Sequence, residues 1–167
     1  MGDHVAIVGY MGSGKTTVGR LLARRTRRDF VDLDHEVSRR AGRTIPEIFA
    51  DWGEDRFRDL EHAALLSALD RPEPAVISCG GGAVVRLDNR AALRHTPTVF
   101  LTEPINVLYT RTRGPDRPLK GNTREDFAQR YAERLPLYRE VSDVEVRAEG
   151  RGAAEVAEEV ERWLMTR

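Results

Sequence analysis

The sequence predicts an α/β fold built on a parallel sheet. Short, nearly continuous apolar runs alternate with amphipathic stretches along the whole 167 residues. That alternation suits strands covered on both faces by crossover helices. The first run also leads directly into a glycine-rich loop and then into a stretch with helical periodicity. No internal repeat or low-complexity linker interrupts the chain, so one domain spanning 1–167 is expected.

Five runs qualify as strands: Val5–Val8, Phe30–Asp32, Ala75–Ser78, Thr98–Leu101 and Val144–Val146. Between them lie the helices. Thr16 to Arg25 carries Val18, Leu21 and Leu22 at helical spacing. Thr44-Ile45-Pro46-Glu47 has the form of a capping box with proline at an early helical position. Glu54 to Leu69 sets Phe57, Leu60, Ala64 and Leu65 along one stripe. Asp88 is expected to cap a helix reaching about 95, and Pro104 to open another reaching about 110. Arg124 to Tyr138 and Ala153 to Leu164 complete the set, with Leu135-Pro136 expected to end or kink the first of these. Thr112 to Thr123 breaks the pattern. It has almost nothing apolar to bury, and it carries Arg113, Arg117 and Lys120 among two glycines and two prolines. Such a stretch reads as a functional lid, over about 112–124.

Composition narrows the function. Forty percent hydrophobic and 32 percent charged residues is the profile of a soluble globular protein. Basic and acidic residues cancel at 27 each, so no field of one sign directs the chain to nucleic acid or membrane. Cys79 is the single cysteine, which leaves neither an internal disulfide nor a cysteine metal cage. With no apolar run near the roughly 20 residues of a membrane span, a cytoplasmic protein is expected. His4, His35, His62 and His95 show neither metal-ligand spacing nor a nucleophile beside them. Trp163 is expected to pack in the core.

The chemistry starts at Gly9-Tyr10-Met11-Gly12-Ser13-Gly14-Lys15-Thr16, which satisfies G-x-x-x-x-G-K-[ST] between a strand and a helix. Glycines let the backbone wrap a phosphate with its N–H groups, and the helix adds the positive end of its dipole. In this motif Lys15 bridges β- and γ-oxygens of a nucleotide and the Thr16 hydroxyl ligates Mg²⁺. All but two of the basic residues are arginine, and one of the two lysines occupies this slot.

Asp32 and Asp34 close the second apolar run two residues apart. A strand's period of two sets both carboxylates on one side, at the end of the sheet where α/β proteins bind ligands. One acid near the metal and one near an acceptor hydroxyl is what phosphoryl transfer requires. The competing role for Asp34 is an N-cap for 35–41. Downstream, Ser78-Cys79 runs into Gly80, Gly81 and Gly82, where backbone can approach a ligand closely. Cys79 itself reads as an inert small apolar residue.

In their order along the chain, GYMGSGKTT (9–17), DLD (32–34), the FR pair (57–58), CGGGA (79–83), RPL (117–119) and ERLPLY (133–138) resemble the shikimate kinase family over essentially the whole length. The resemblance implies a three-layer sandwich with a five-stranded parallel sheet of order 2-3-1-4-5, of the P-loop nucleoside-monophosphate-kinase type. It implies substrate-binding helices over about 34–60, with ATP and shikimate as partners, Mg²⁺ as the metal, and a monomer. The implied reaction moves the γ-phosphate of ATP to the 3-hydroxyl of shikimate, in the chorismate pathway of aromatic amino-acid biosynthesis. Lys15, Asp34 and Arg117 are implied as catalytic residues. Gly12, Ser13, Gly14, Lys15, Thr16, Thr17, Arg111, Arg117 and Arg151 are implied as ATP contacts, with Arg111 covering one adenine face. Asp34, Arg58, Gly80, Gly81, Gly82 and Arg134 would bind the acceptor, the two arginines clamping its carboxylate. Thr16, and Asp32 through water, would hold the metal. The chain departs from the family in a compact lid around Gly114-Pro115-Asp116, and in a 149–153 loop without the proline often found there.

Two other readings compete. A kinase for another small hydroxy acid, such as gluconate, would share the loop and metal site. A non-catalytic nucleotide-binding module is the reading from a different class. A guanine-reading N-K-x-D is missing from the sequence, and Lys15, Asp32, Asp34 and Arg117 are all present.

Overall fold

The computed structural model describes residues 3–112 and 123–167. Its strands are β1 (Val5–Val8), β2 (Asp29–Asp32), β3 (Ala75–Ser78), β4 (Thr98–Thr102) and β5 (Val144–Arg147). They match the five apolar runs to within one residue at either end. All pair in parallel in the order β2-β3-β1-β4-β5, as expected.

Period-two alternation divides the strand side chains between two helical layers. Val5 and Ile7 of β1 point to the face covered by α1 (Lys15–Thr26) and α7 (Ala153–Met165), where Val18, Leu22, Val156 and Val160 meet them. Ala6 and Val8 point the other way, to α3 (Ile45–Leu69), α4 (Leu87–Leu93), α5 (Ile105–Arg111) and α6 (Arg124–Val141). Phe57, Leu65, Leu93, Leu108, Phe127 and Tyr138 fill that layer. α2 (Leu33–Ala41) joins it through Val37 against Ile48. Trp163 is half-buried and packs on the α1/α7 layer.

The capping box forms as read: the Glu47 N–H donates to Thr44 Oγ1 at 3.3 Å, and the Thr44 N–H donates to Glu47 Oε2 at 2.8 Å. Other boundaries differ. Asp88 sits inside the first turn of α4, with Arg86 at the N-cap, so its carboxylate serves the helix dipole rather than capping it. α6 passes through Pro136 and runs on to Val141. Pro136 and Ala132, whose carbonyl loses its helical partner, are both exposed, so water can replace the missing bond. Tyr138 and Val141 are buried beyond the proline and hold the last turn down.

α3 is two helices joined at Gly53, whose φ of 82° and ψ of 171° lie in a region that glycine alone occupies readily. The turn lets residues on both sides of it, Ile45 and Phe49 before and Phe57, Arg58 and Glu61 after, face one space at the sheet's carboxyl edge. Among the described residues no helix is long and apolar enough to cross a membrane. Gly53→Ala is expected to lower unfolding stability by about 1–3 kcal/mol. Urea denaturation checks this, and an unchanged midpoint would show that the kink relaxes without strain.

Candidate active site

The carboxyl ends of β1, β2 and β3 open into a cavity of about 540 Å³. The loop after β1 forms one wall. α1 starts at Gly14 with no side-chain cap and no acid in its first turn. By contrast α2, α3 and α6 are capped by Asp32, Thr44 and Thr123, and each has an acid in its first turn. The first N–H groups of α1 are thus kept for an external anion. Lys15 Nζ folds back onto its own loop, donating to Tyr10 O at 3.0 Å and Ser13 Oγ at 3.4 Å.

Asp32 couples this loop to β2. Its Oδ2 accepts from Thr16 Oγ1 at 2.9 Å, and its Oδ1 accepts from the His35 N–H at 3.2 Å. The expected strand geometry of Asp32 and Asp34 needs correction here. β2 stops at Asp32, Leu33 already belongs to α2, and the cap is Asp32 rather than Asp34. Asp34 reaches the cavity from the first helical turn instead. Thr16 and Asp32 offer only hard oxygen donors, which fits Mg²⁺. Among the described residues no group of three or more His, Cys, Asp or Glu could hold a metal by itself.

The opposite wall gathers Arg58, Glu61, Arg134 and the glycines after β3. Arg58 lies against Gly82: a Cβ at that glycine would collide with its guanidinium. At Gly80 a Cβ would lie 2.9 Å from both Asp34 Oδ1 and Glu61 Oε2, so the bare backbone makes room for two carboxylates. Arg58 Nη1 donates to Glu61 Oε1 at 2.9 Å, and Nη2 reaches the exposed Glu54 at 3.4 Å. Glu61 is 1% exposed. Burial pushes its carboxyl above the usual range, Arg58 works against the shift, and Asp34 adds to it. Arg134 is buried, with its guanidinium 5.7 Å from the centre of the Tyr10 ring. Tyr138 donates to Gly81 O at 2.5 Å, tying α6 to the glycine run.

Sequence reasoning missed Glu61, although a signal existed. Glu61 falls on the apolar face of α3 three residues after Arg58, and an acid there must be paired.

A family model described as shikimate kinase matches residues 11–165. The shikimate kinase of Chromohalobacter salexigens is 43% identical over 162 residues, covering 95% of this chain and 89% of that one. The shikimate kinase of Aromatoleum aromaticum is 46% identical over 152 residues, covering 89% and 86%. The chain belongs to the shikimate kinase family. The structure of the Acinetobacter baumannii shikimate kinase in complex with shikimate superposes with a TM-score of 0.94, at 35% identity, over 99% of this chain and 94% of that one. Like other shikimate kinases, the chain is an ATP-dependent kinase acting on a hydroxyl group.

The residues implied by the shikimate kinase resemblance divide four ways. Gly12, Gly14, Lys15, Thr16, Thr17, Asp32, Asp34, Arg58, Gly80, Gly81, Gly82, Arg111 and Arg134 all line one cavity. Ser13 is buried in the loop beneath it. Arg151 is not among the lining residues: it pairs with Glu155 at 3.0 Å and Glu159 at 2.5 Å on α7. Arg117 and nearly all of the expected lid, 113–122, lie outside the described residues. His4 and His62 spend their rings on Arg71 O, the Ala75 N–H and Asn89. Cys79 lines the cavity floor but is 1% exposed, and burial pushes its thiol up to about 12. In the folded protein Cys79 should resist a disulfide reagent such as DTNB at neutral pH and react at once in guanidinium. Rapid labelling of the native enzyme would mean that the site opens to its floor.

Proposed function

We propose that the chain carries out the shikimate kinase reaction with the residues of this cavity in the following roles. The carrying observation is that two half-sites share one space. Lys15 and Thr16 face it from the first turn of α1, while Asp34, Arg58 and Arg134 face it from the other side. The first half suits a triphosphate and the second a hydroxylated carboxylate.

Arg58 and Arg134 bind the acceptor carboxylate through their planar forks, with the Gly80–Gly82 backbone beneath it. Glu61 holds Arg58 in position. Asp34 accepts a hydrogen bond from the 3-hydroxyl. The hydroxyl oxygen then bonds to the γ-phosphorus of ATP, the bond from that phosphorus to the β–γ bridging oxygen breaks, and the hydroxyl proton passes to Asp34. Lys15 stabilises the charge on the transferring group. Thr16 and, through water, Asp32 would hold Mg²⁺, which supplies further neutralisation of the phosphate oxygens. Arg111 contacts the nucleotide. Arg117 is assigned charge stabilisation from the 112–124 lid on the family resemblance alone, and helices over 34–60 are read as the acceptor-binding part. Gly12, Gly14 and Thr17 complete the phosphate loop.

Coupled ADP release measured over a panel of hydroxy acids tests the acceptor. Turnover with shikimate and little with gluconate is expected, whereas strong turnover only with gluconate would overturn the assignment. Asp34→Asn is expected to lower kcat by at least about 10²-fold while ATP binding persists. Near-normal turnover in that variant would remove Asp34 from the proton's path.

A further inference from the structure

Outside the acceptor cup, the structure holds a second buried acid clamped to an arginine. Glu103 follows β4 directly, is 6% exposed, and its Oε1 accepts from Arg111 Nη1 at 3.0 Å. The same Nη1 lies 3.2 Å from Gly12 O, so one nitrogen is shared between a carboxylate and the phosphate loop. Contacts around Gly12 add to this. A Cβ there would lie 2.9 Å from Thr112 Cγ2 and 3.0 Å from Leu108 O, so the last turn of α5 rests on the loop with no room to spare. Thr112 is itself buried, its hydroxyl turned to Leu108 O at 3.0 Å.

We propose that Glu103 is a positioning residue for nucleotide binding that acts through Arg111. This rests on the reading of Arg111 as a nucleotide contact. The Arg111 side chain is about half exposed and would sweep a wide arc if left alone. Held at Nη1 by Glu103 and Gly12 O, the guanidinium plane is oriented before the nucleotide arrives. Its flat face can then meet a base without first losing rotamer freedom. The same strap fixes the last turn of α5 on the loop that receives the phosphates. Glu103 touches no nucleotide in this arrangement and is not a catalytic residue.

A double-mutant cycle on the full chain tests it, with Glu103→Gln, Arg111→Ala and both together, read as KM for ATP and KM for shikimate. Glu103→Gln is expected to raise KM for ATP about five- to tenfold while KM for shikimate moves less than twofold. The double variant is expected to match Arg111→Ala alone. Losses that multiply in the double variant, or an unchanged KM for ATP in Glu103→Gln, overturn the proposal. If Arg111→Ala itself leaves KM for ATP unchanged, the fault lies with the role given to Arg111 and the proposal falls with it. Should Glu103→Gln not fold, Glu103→Asp withdraws the carboxylate by one methylene. It is expected to raise KM for ATP selectively, and an unchanged value again overturns the idea.

Discussion

The constraint on which the site depends is the complete burial of β1. It is hydrogen-bonded on both edges, to β3 and β4, and covered on both faces. A strand in that position has no side on which to carry chemistry, so function is pushed to the point where the chain leaves the sheet. Because β3 lies beside β1, their exit loops also compete for the same space. A Cβ at Gly81 would lie 3.2 Å from the Met11 N–H nitrogen, close to the limit of what side chains tolerate. The glycines after β3 are therefore a packing consequence of strand order as much as a ligand requirement. Adjacent β1 and β3 force two backbones together, and the gap beyond them becomes the cavity.

Within the cavity, charges of both signs are held at close quarters before any ligand arrives. Glu61 is the most buried of them and is tolerated because Arg58 lies 2.9 Å away. Removing one partner of such a buried pair typically costs about 3–5 kcal/mol. The pair does not satisfy itself completely. Among the described residues, Arg58 Nε and Glu61 Oε2 are buried without a hydrogen-bond partner. The same state recurs away from the cavity at Arg71 Nε, Arg90 Nε and Arg130 Nη1, so it belongs to the packing of buried charges rather than to a ligand.

Much of this could be read from residue order alone. The five strands and the loop at 9–16 were visible because short buried runs and a glycine-rich phosphate motif are local signals. Asp32 and Asp34 were found too, but for a partly mistaken reason. Strand periodicity was extended two residues too far, to Asp34, whereas β2 ends at Asp32 because that side chain caps α2 through the His35 N–H. α6 outlasted Pro136 because Tyr138 and Val141 are anchored by neighbours distant in sequence. Glu61 and Glu103 were missed for a related reason. Each matters through the arginine it holds, Arg58 or Arg111, and a carboxylate's own residue type does not name that partner. Arg151 shows the converse. The family resemblance implied a nucleotide contact, while Glu155 and Glu159 lie within reach on the next helix and engage its guanidinium.

That pattern bears on why the chain uses arginine almost everywhere and lysine at position 15. A guanidinium recognises a ligand by its plane, and a plane must be oriented to be useful. Arg58 and Arg111 each have a buried acid, Glu61 and Glu103, set against one edge. Lys15 donates to oxygens of its own loop, Tyr10 O and Ser13 Oγ. An ammonium has no plane to orient and can swing from those oxygens to a phosphate on a flexible stem. The two kinds of cation thus make different demands: a plane must be set by a fixed partner, as Glu61 and Glu103 set Arg58 and Arg111, whereas a point charge needs only the reach of its stem.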